Sequence, residues 1–214
     1  MNDQILRFDK KQKYLIFDTE TEGLNLIKSK PFQVAWIVAQ GDRILEKQSR
    51  YIKWDDLNVS EGAARTTRFD INHYNRVAED PKEVWNDFSK ELYNPEYRIV
   101  GHNLLGFDVY MVDVWRKLLG LNSDHSYVER IIDTLSVARA IADSDPNKAK
   151  PDFENFIYWQ YKWTNNHKRG VRASQAALLK KYNITHDKDR LHHALYDIEM
   201  NFEIFKKQLF QIEL

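Results

Sequence analysis

The order of the apolar segments constrains the fold of this chain more than any other feature. Three strand-like segments follow one another closely, at residues 14–17, 32–39 and 44–54, and a turn around Gly41-Asp42 joins the last two. Two further strands are predicted at residues 98–101 and 131–133, with helical periodicity between them. Adjacent strands can pair as a meander, whereas the later strands need helical crossovers. The sequence therefore predicts an α/β fold with a mixed sheet flanked by helices.

Several helices are predicted between and after the strands. One begins with Pro81 in its first turn and continues to about residue 92. Asn103 is predicted to be the N-cap of the next helix, and a third helix covers residues 134–142. The chain closes with helices at residues 172–182 and 192–209. The stretch between Asp143 and Gly170 has no periodicity that assigns it to a helix or a strand.

Composition limits the classes of protein to which the chain can belong. With 214 residues, of which 43% are hydrophobic, it fits one folded domain spanning residues 1–214. Its 32 Lys and Arg balance 32 Asp and Glu, so any contact with nucleic acid must be local. The absence of Cys excludes disulfides, zinc–thiolate sites and thiol nucleophiles, and metal chemistry would need carboxylates or His. Without a signal segment or a long apolar stretch, we expect a cytoplasmic protein with no membrane partner.

Four carboxylates stand at positions that suggest a binding site. Two of them lie close together on one strand, and two lie on or beside the apolar face of a helix. Asp18 and Glu20 stand two residues apart at the end of the first strand, so they project to the same side. Asp108 shares the inward stripe of a helix with large apolar residues. Asp197 lies at the edge of the apolar face of the last helix, five residues after His192. The alternative is that each is a solvated strand end or helix start.

These carboxylates and the His match what two-metal phosphodiester hydrolysis requires. Two divalent ions about 4 Å apart need several oxygen ligands, and Mg²⁺ and Mn²⁺ prefer oxygen. A neutral His near its ordinary pKa could take the proton of the attacking water. The order of residues along the chain does not itself show that they meet in space.

The segments around these residues resemble the three exonuclease motifs of the DEDDh family. The first is Phe17-Asp18-Thr19-Glu20-Thr21 with Gly23-Leu24, the second Val100-Gly101-His102-Asn103 with Phe107-Asp108, and the third His192-x4-Asp197. The family includes the proofreading epsilon subunit of bacterial DNA polymerase III, ribonuclease T and oligoribonuclease. The resemblance covers roughly residues 14–209, and Ile132-Asp133-Thr134-Leu135 resembles a further family feature.

The resemblance implies a ribonuclease H-like fold and a metal-dependent 3′→5′ exonuclease that releases nucleoside 5′-monophosphates from single-stranded DNA ends. It implies two Mg²⁺ or Mn²⁺ ions held by Asp18, Glu20, Asp108 and Asp197. His192 would be the general base, since the spacing of His193 to Asp197 does not fit the family pattern. The positions that would contact the substrate are Thr21, Gly23, Leu24, Asn103 and Phe107.

Alternative functions keep the same fold. The substrate could be RNA, as in ribonuclease T and oligoribonuclease, because nothing in the sequence decides the sugar. A non-catalytic nucleic-acid-binding or polymerase-docking module would be expected to lose one of the acids, yet all four and the His are present. A DNA polymerase or a replication protein is a possible partner. The chain end directly after the last helix favours a free-standing enzyme, and the oligomeric state is not legible.

Two departures from the family pattern stand out. Glu22 adds a negative charge beside a site for a polyanion, which we expect to weaken or tune substrate binding. An aromatic-rich segment at residues 145–171 is predicted as an insertion. Its aromatics alternate with Lys162, Lys168, Arg169 and Arg172, which would suit a single strand. Alternatively it is a hairpin that packs its aromatics on the core, and the two interpretations could hold for opposite faces.

Overall fold

One sheet organises the chain. The computed structural model describes residues 10–143, 150–152, 154–187 and 193–212. Within them the sheet has the strand order β3-β2-β1-β4-β5. The first three strands pair antiparallel, and β4 and β5 are parallel to β1. The predicted mixed sheet is confirmed. The strands are β1 (Lys13–Thr21), β2 (Pro31–Gln40), β3 (Arg43–Tyr51), β4 (Tyr97–Gly101) and β5 (Ile131–Asp133).

Helices cover both faces of this sheet. In the described part of the chain they are α1 (Glu61–Thr67), α2 (Ile71–Val77), α3 (Pro81–Leu92), α4 (Asp108–Leu118), α5 (Thr134–Ile141), α6 (Phe156–Thr164), α7 (Gln175–Lys181) and α8 (Ala194–Ile212). None of the helices described is both long and apolar enough to cross a membrane.

The core lies in two layers, one on each face of the sheet. Leu15 and Phe17 of β1 pack with apolar residues of α3 and α4. Tyr14 and Ile16, on the opposite face of the same strand, pack with α5, α6 and α8. This alternation follows from the period of two in an extended strand. A strand buried on both faces reads as the continuous apolar run seen in the sequence.

Local signals set most element ends as predicted. Gly41 adopts the left-handed conformation, with φ of 57°, in the turn between β2 and β3. The Asp80 side chain accepts hydrogen bonds from the first turn of α3, and Pro81 lies in that turn. The Ser60 side chain likewise accepts the Ala63 N–H and caps α1.

The prediction that Asn103 caps the next helix is wrong. Asn103 has φ of 68°, and its side chain makes no capping bond to the short 3₁₀ turn (Leu104–Gly106) that follows. Helix α4 begins only at Asp108. The reason is a tertiary contact, because the Asp133 carboxylate accepts the backbone N–H groups of Asn103 and Leu105, each at 3.0 Å. A local pattern cannot reveal such a partner.

The aromatic segment predicted as an insertion contains a helix, not a hairpin. Phe156, Trp159 and Trp163 of α6 are buried against the α5–α8 side of the sheet. Arg139 of α5 donates to the Thr164 carbonyl at the end of α6, where the carbonyls have no helical partner. The interpretation that these aromatics complete the core is therefore confirmed for the inner face of α6.

Gln160 of α6 closes the open edge of the sheet. Its side-chain oxygen accepts the Asp133 N–H at 2.7 Å, and its side-chain nitrogen donates to the Ile131 carbonyl at 2.9 Å. These two backbone groups lie two residues apart on β5, so they are the groups that a further strand would have paired. A fully buried amide thus replaces a sixth strand.

We expect Gln160→Leu to lower the free energy of unfolding by about 2–4 kcal/mol, because it leaves two buried backbone groups without partners. Urea unfolding followed by circular dichroism measures the change. Lys162→Met, on the exposed face of the same helix, serves as the control and should change stability by less than about 0.5 kcal/mol. Equal losses in the two variants would contradict the edge-closing role of Gln160.

Candidate active site

Three segments bring the four predicted acids to one end of the sheet. The parallel pairing of β1 with β4 ends at Ile16 and Val100, and β1 continues for five residues beyond it, carrying Asp18 and Glu20. Asp108 is the first residue of α4, and Asp197 lies in the first turn of α8. Sites in sheets of this kind collect where parallel strands end.

The pleat of β1 decides which side each residue faces. Asp18 pairs with Ala35, which belongs to the core layer on the α8 side, so Asp18 and Glu20 face the helix that carries Asp197. Thr19 pairs with Val34, which belongs to the layer on the α4 side. Asp108 therefore reaches the site from the opposite face, across the sheet end.

Thr19 fixes the carboxylate of Asp108. Its hydroxyl donates to Asp108 Oδ1 at 2.6 Å, and its backbone N–H donates to the same oxygen at 3.0 Å. Both residues are buried. Thr19 was not identified from the sequence. Because side chains alternate along a strand, however, the residue between Asp18 and Glu20 had to face the α4 side of the sheet.

Burial and neighbouring charges raise the pKa of three of the acids. Burial and the nearby charges of Asp108, Glu20 and Asp197 hold the pKa of Asp18 well above its ordinary value. Burial, with Asp197 and Asp108, raises the pKa of Glu20 to about 8. Burial raises the pKa of Asp108 to about 7, against the two hydrogen bonds from Thr19. The four predicted acids thus form one electrostatic cluster.

The donor chemistry of this cluster fits a hard divalent cation. Among the residues that the structure describes, no three His, Cys, Asp or Glu side chains stand at the spacing that holds a single metal ion. The acids offer only oxygen, however, which is what Mg²⁺ and Mn²⁺ prefer. Their mutual repulsion also leaves negative charge that a cation would neutralise.

The third motif is only partly within the described residues. His192, the predicted general base, lies outside them. His193 is exposed directly before α8, and its carbonyl accepts the Asp197 N–H at 3.0 Å. The Gln175 side chain donates to the Asp197 carbonyl at 2.8 Å and so links α7 to the start of α8. Gln175 was not singled out in the sequence.

A cavity of about 360 Å³ opens beside the acids. Four of the predicted substrate-binding residues line it together with Glu20, namely Thr21, Gly23, Leu24 and Phe107. Asn103 does not line it. The opposite wall comes from α1 and its N-cap, which sequence reasoning missed because α1 contains no buried residue and carries no motif.

Hydrogen bonds fix the loop after β1 beside this cavity. The Thr21 hydroxyl donates to the Gly23 carbonyl at 2.7 Å, and Leu24 is 86% exposed. The carboxylate of Glu22 accepts the Asn58 N–H at 3.2 Å, and the Glu22 carbonyl accepts the Ser60 N–H at 2.9 Å. Glu22 thus ties the loop to the start of α1, which gives this departure from the family pattern a structural role.

A second layer of hydrogen bonds lies behind the acids. Thr134 Oγ1 lies 3.0 Å from His102 Nδ1 and 2.7 Å from the side-chain oxygen of Asn201. Asn201 follows Asp197 by one turn of α8, so this contact joins the second motif to the third. Burial lowers the pKa of His102 to about 4, which leaves the ring neutral at pH 7. Neither Thr134 nor Asn201 was identified from the sequence as part of the site.

The fold is shared with solved nuclease structures. One is E. coli exonuclease I in complex with a dT13 oligonucleotide, with a TM-score of 0.73 and 18% identity over 94% of this chain and 42% of that chain. Another is the zinc-ion-bound complex of E. coli exonuclease I with single-stranded DNA, with a TM-score of 0.73 and 18% identity over 95% and 41%. The predicted ribonuclease H-like fold is confirmed.

The sequence itself gives the family. It matches the RNase T family model, described as exonuclease, over residues 15–205. The chain belongs to this exonuclease family, which confirms the resemblance identified from the motifs. No curated protein matches the sequence significantly. The chain spans less than half the length of the exonuclease I chains it resembles.

We expect the burial of these acids and the repulsion among them to make the metal-free protein less stable as the pH rises. Their folded-state pKa values exceed the value of about 4 in an unfolded chain. The contribution of these protonated acids to folding stability is complete below pH 4. It is lost as the pH rises through the pKa of Asp108, about 7, and that of Glu20, about 8. Asp18→Asn should therefore raise the melting temperature in EDTA at pH 8, by about 2–4 °C per kcal/mol of repulsion relieved, with little change at pH 4.

The matched control is Asp42→Asn, which removes an exposed carboxylate from the β2–β3 turn. It should leave the melting temperature unchanged at both pH values. A decrease for Asp18→Asn at pH 8 would contradict the repulsive cluster.

Proposed function

We propose that this protein is a metal-dependent 3′→5′ exonuclease that removes nucleoside 5′-monophosphates from single-stranded DNA ends. The observation that carries the proposal is the cluster of Asp18, Glu20, Asp108 and Asp197 beside the cavity. The family match and the likeness to exonuclease I structures that contain single-stranded DNA support it. A DNA polymerase or a replication protein as partner stays a prediction from the resemblance.

The four acids would hold two Mg²⁺ or Mn²⁺ ions. Such ions, when bound, lower the pKa of the attacking water and stabilise the leaving 3′ oxygen. The residues of the chain supply the geometry. Thr19 would keep one oxygen of Asp108 committed to a hydrogen bond and so direct the other oxygen toward the site. Asp18 and Glu20, fixed on one strand, would keep a constant separation.

The cavity would hold the terminal nucleotide. Its volume of about 360 Å³ is in the range of pockets that enclose small ligands. Exposed Leu24 would contact the last base, and Phe107 would contact the nucleotide from the α4 side. The terminal phosphodiester would then lie next to Glu20, which belongs to both the cavity and the acid cluster.

We expect a gel time course with 5′-labelled single strands to show shortening from the 3′ end in Mg²⁺ or Mn²⁺ and none in EDTA. Asp18→Ala should abolish the shortening and remain folded, because removing one acid relieves repulsion. Matched DNA and RNA strands identify the sugar, and faster cleavage of RNA would make the protein an exoribonuclease. An intact strand under every metal would contradict the proposed function.

His192→Ala should lower the cleavage rate by about 10²–10⁴-fold, the usual contribution of a general base. Mn²⁺ binding, measured by calorimetry, should be preserved because His192 is assigned to proton transfer. His193→Ala is the matched control, since His193 is exposed beside it, and should retain nearly full activity. If His193→Ala were the more damaging change, the assignment of the base would be wrong.

A further inference from the structure

The charges of this neutral chain are unevenly distributed. Between residues 155 and 186 there is no Asp or Glu, although the chain as a whole contains as many acids as bases. The same segment contains six Lys and Arg residues. We name them the basic surface, and they are Lys162, Lys168, Arg169, Arg172, Lys180 and Lys181.

All six side chains of the basic surface are exposed. The elements that carry them are anchored by other residues. Trp159 and Trp163 attach α6 to the core, while Leu178 and Leu179 attach α7 to α5 and α8. Lys162 on α6 and Lys180 and Lys181 on α7 are therefore held on anchored helices with their side chains exposed. Lys168, Arg169 and Arg172 lie in the connection between these two helices.

Two glutamines of the same acid-free segment link it to the segments near the acids. Gln175, in the first turn of α7, donates to the carbonyl of Asp197. Gln160 of α6 binds the backbone of Asp133, whose carboxylate holds the turn that precedes Asp108. Helix α7 thus contacts the segment that carries Asp197, and α6 is linked through Asp133 to the turn that precedes Asp108.

We propose that the basic surface binds the phosphodiester backbone of the single strand on the 5′ side of the nucleotide being removed. This proposal rests on the proposed function. Without divalent ions, a strand whose terminal nucleotide lies beside four carboxylates is repelled there, and it needs cations elsewhere to bind. The acid-free segment provides a local positive field that the net charge of zero conceals.

Tyr158 adds a stacking partner on the same surface. It is 72% exposed and stands one turn before Lys162 on the outer face of α6. An exposed ring next to a cation suits a single strand, whose unpaired bases stack on aromatic side chains with about 1–3 kcal/mol per base. The two interpretations of the aromatic segment hold for opposite faces of α6, with core packing inside and nucleic acid outside.

The test is a triple variant, Lys162→Gln, Arg169→Gln and Arg172→Gln. Binding of a fluorescently labelled dT20 strand is measured by anisotropy in EDTA, as a function of salt. If all three cations contact phosphates, the slope of log affinity against log salt should fall by about 2, and affinity at 0.1 M salt should fall about 100-fold. A second variant, Tyr158→Ala, should weaken binding about 5–100-fold with little change in the slope.

The control is a second triple variant, Arg43→Gln, Lys82→Gln and Lys90→Gln. It removes the same charge from exposed positions on β3 and α3 and should bind the strand like the wild type. Equal weakening by the two triple variants would overturn the proposal, because the effect would then follow net charge. Unchanged affinity and slope in the first triple variant would also overturn it.

A small substrate separates this proposal from the proposed function. The p-nitrophenyl ester of thymidine 5′-monophosphate spans only the cleaved nucleotide, so its hydrolysis reports the acid cluster and the cavity alone. The first triple variant should hydrolyse it within twofold of the wild-type rate. A comparable loss on the ester and on the strand would place the three cations in the catalytic site and overturn the proposal. A wild-type protein that hydrolysed neither substrate would contradict the proposed function itself.

Discussion

Mutual repulsion among four carboxylates is the constraint on which the rest of the structure depends. Burial and the charges of Glu20, Asp108 and Asp197 raise the pKa of Asp18, and burial with Asp197 and Asp108 raises that of Glu20. The folded chain therefore concentrates negative charge that an unfolded chain would spread out. The free energy for this must come from elsewhere. It comes from the two apolar layers, which bury β1 on both faces up to the residue before Asp18.

Holding such charges at fixed positions requires partners that do not neutralise them. Thr19 does this for Asp108 with a hydroxyl and a backbone N–H. The Asp133 carboxylate holds the turn before α4 in place by accepting its backbone N–H groups. Gln160 accepts the Asp133 N–H and so fixes Asp133 while it closes the sheet edge. Neutral hydrogen-bond donors restrict the acids while leaving their charge available, whereas a Lys or Arg in the same place would compete with a metal ion.

The sequence predicted the mixed sheet and singled out the four acids, because both depend on local patterns. Strand periodicity, Pro81 in the first turn of a helix and the spacing of the motifs are properties of short segments. The predicted start of α4 was wrong, and Gln160 was missed, because both depend on contacts between residues far apart in the sequence. Asn103 is 30 residues from its partner Asp133, and Gln160 is 27 residues from the strand it completes. Contacts between residues that far apart depend on the fold of the whole chain and produce no periodic pattern in the sequence.

The separation of charge along the chain follows from the same constraint. Without metal ions, a site that concentrates acids beside the cavity would repel a polyanion, and positive charge close by but outside the acid cluster would offset that repulsion. A uniformly basic protein would meet that need and would also bind any polyanion anywhere on its surface. Placing cations in one acid-free segment, connected to the site through Gln160 and Gln175, keeps the attraction local. Neutral net charge is therefore compatible with the proposed nucleic-acid surface.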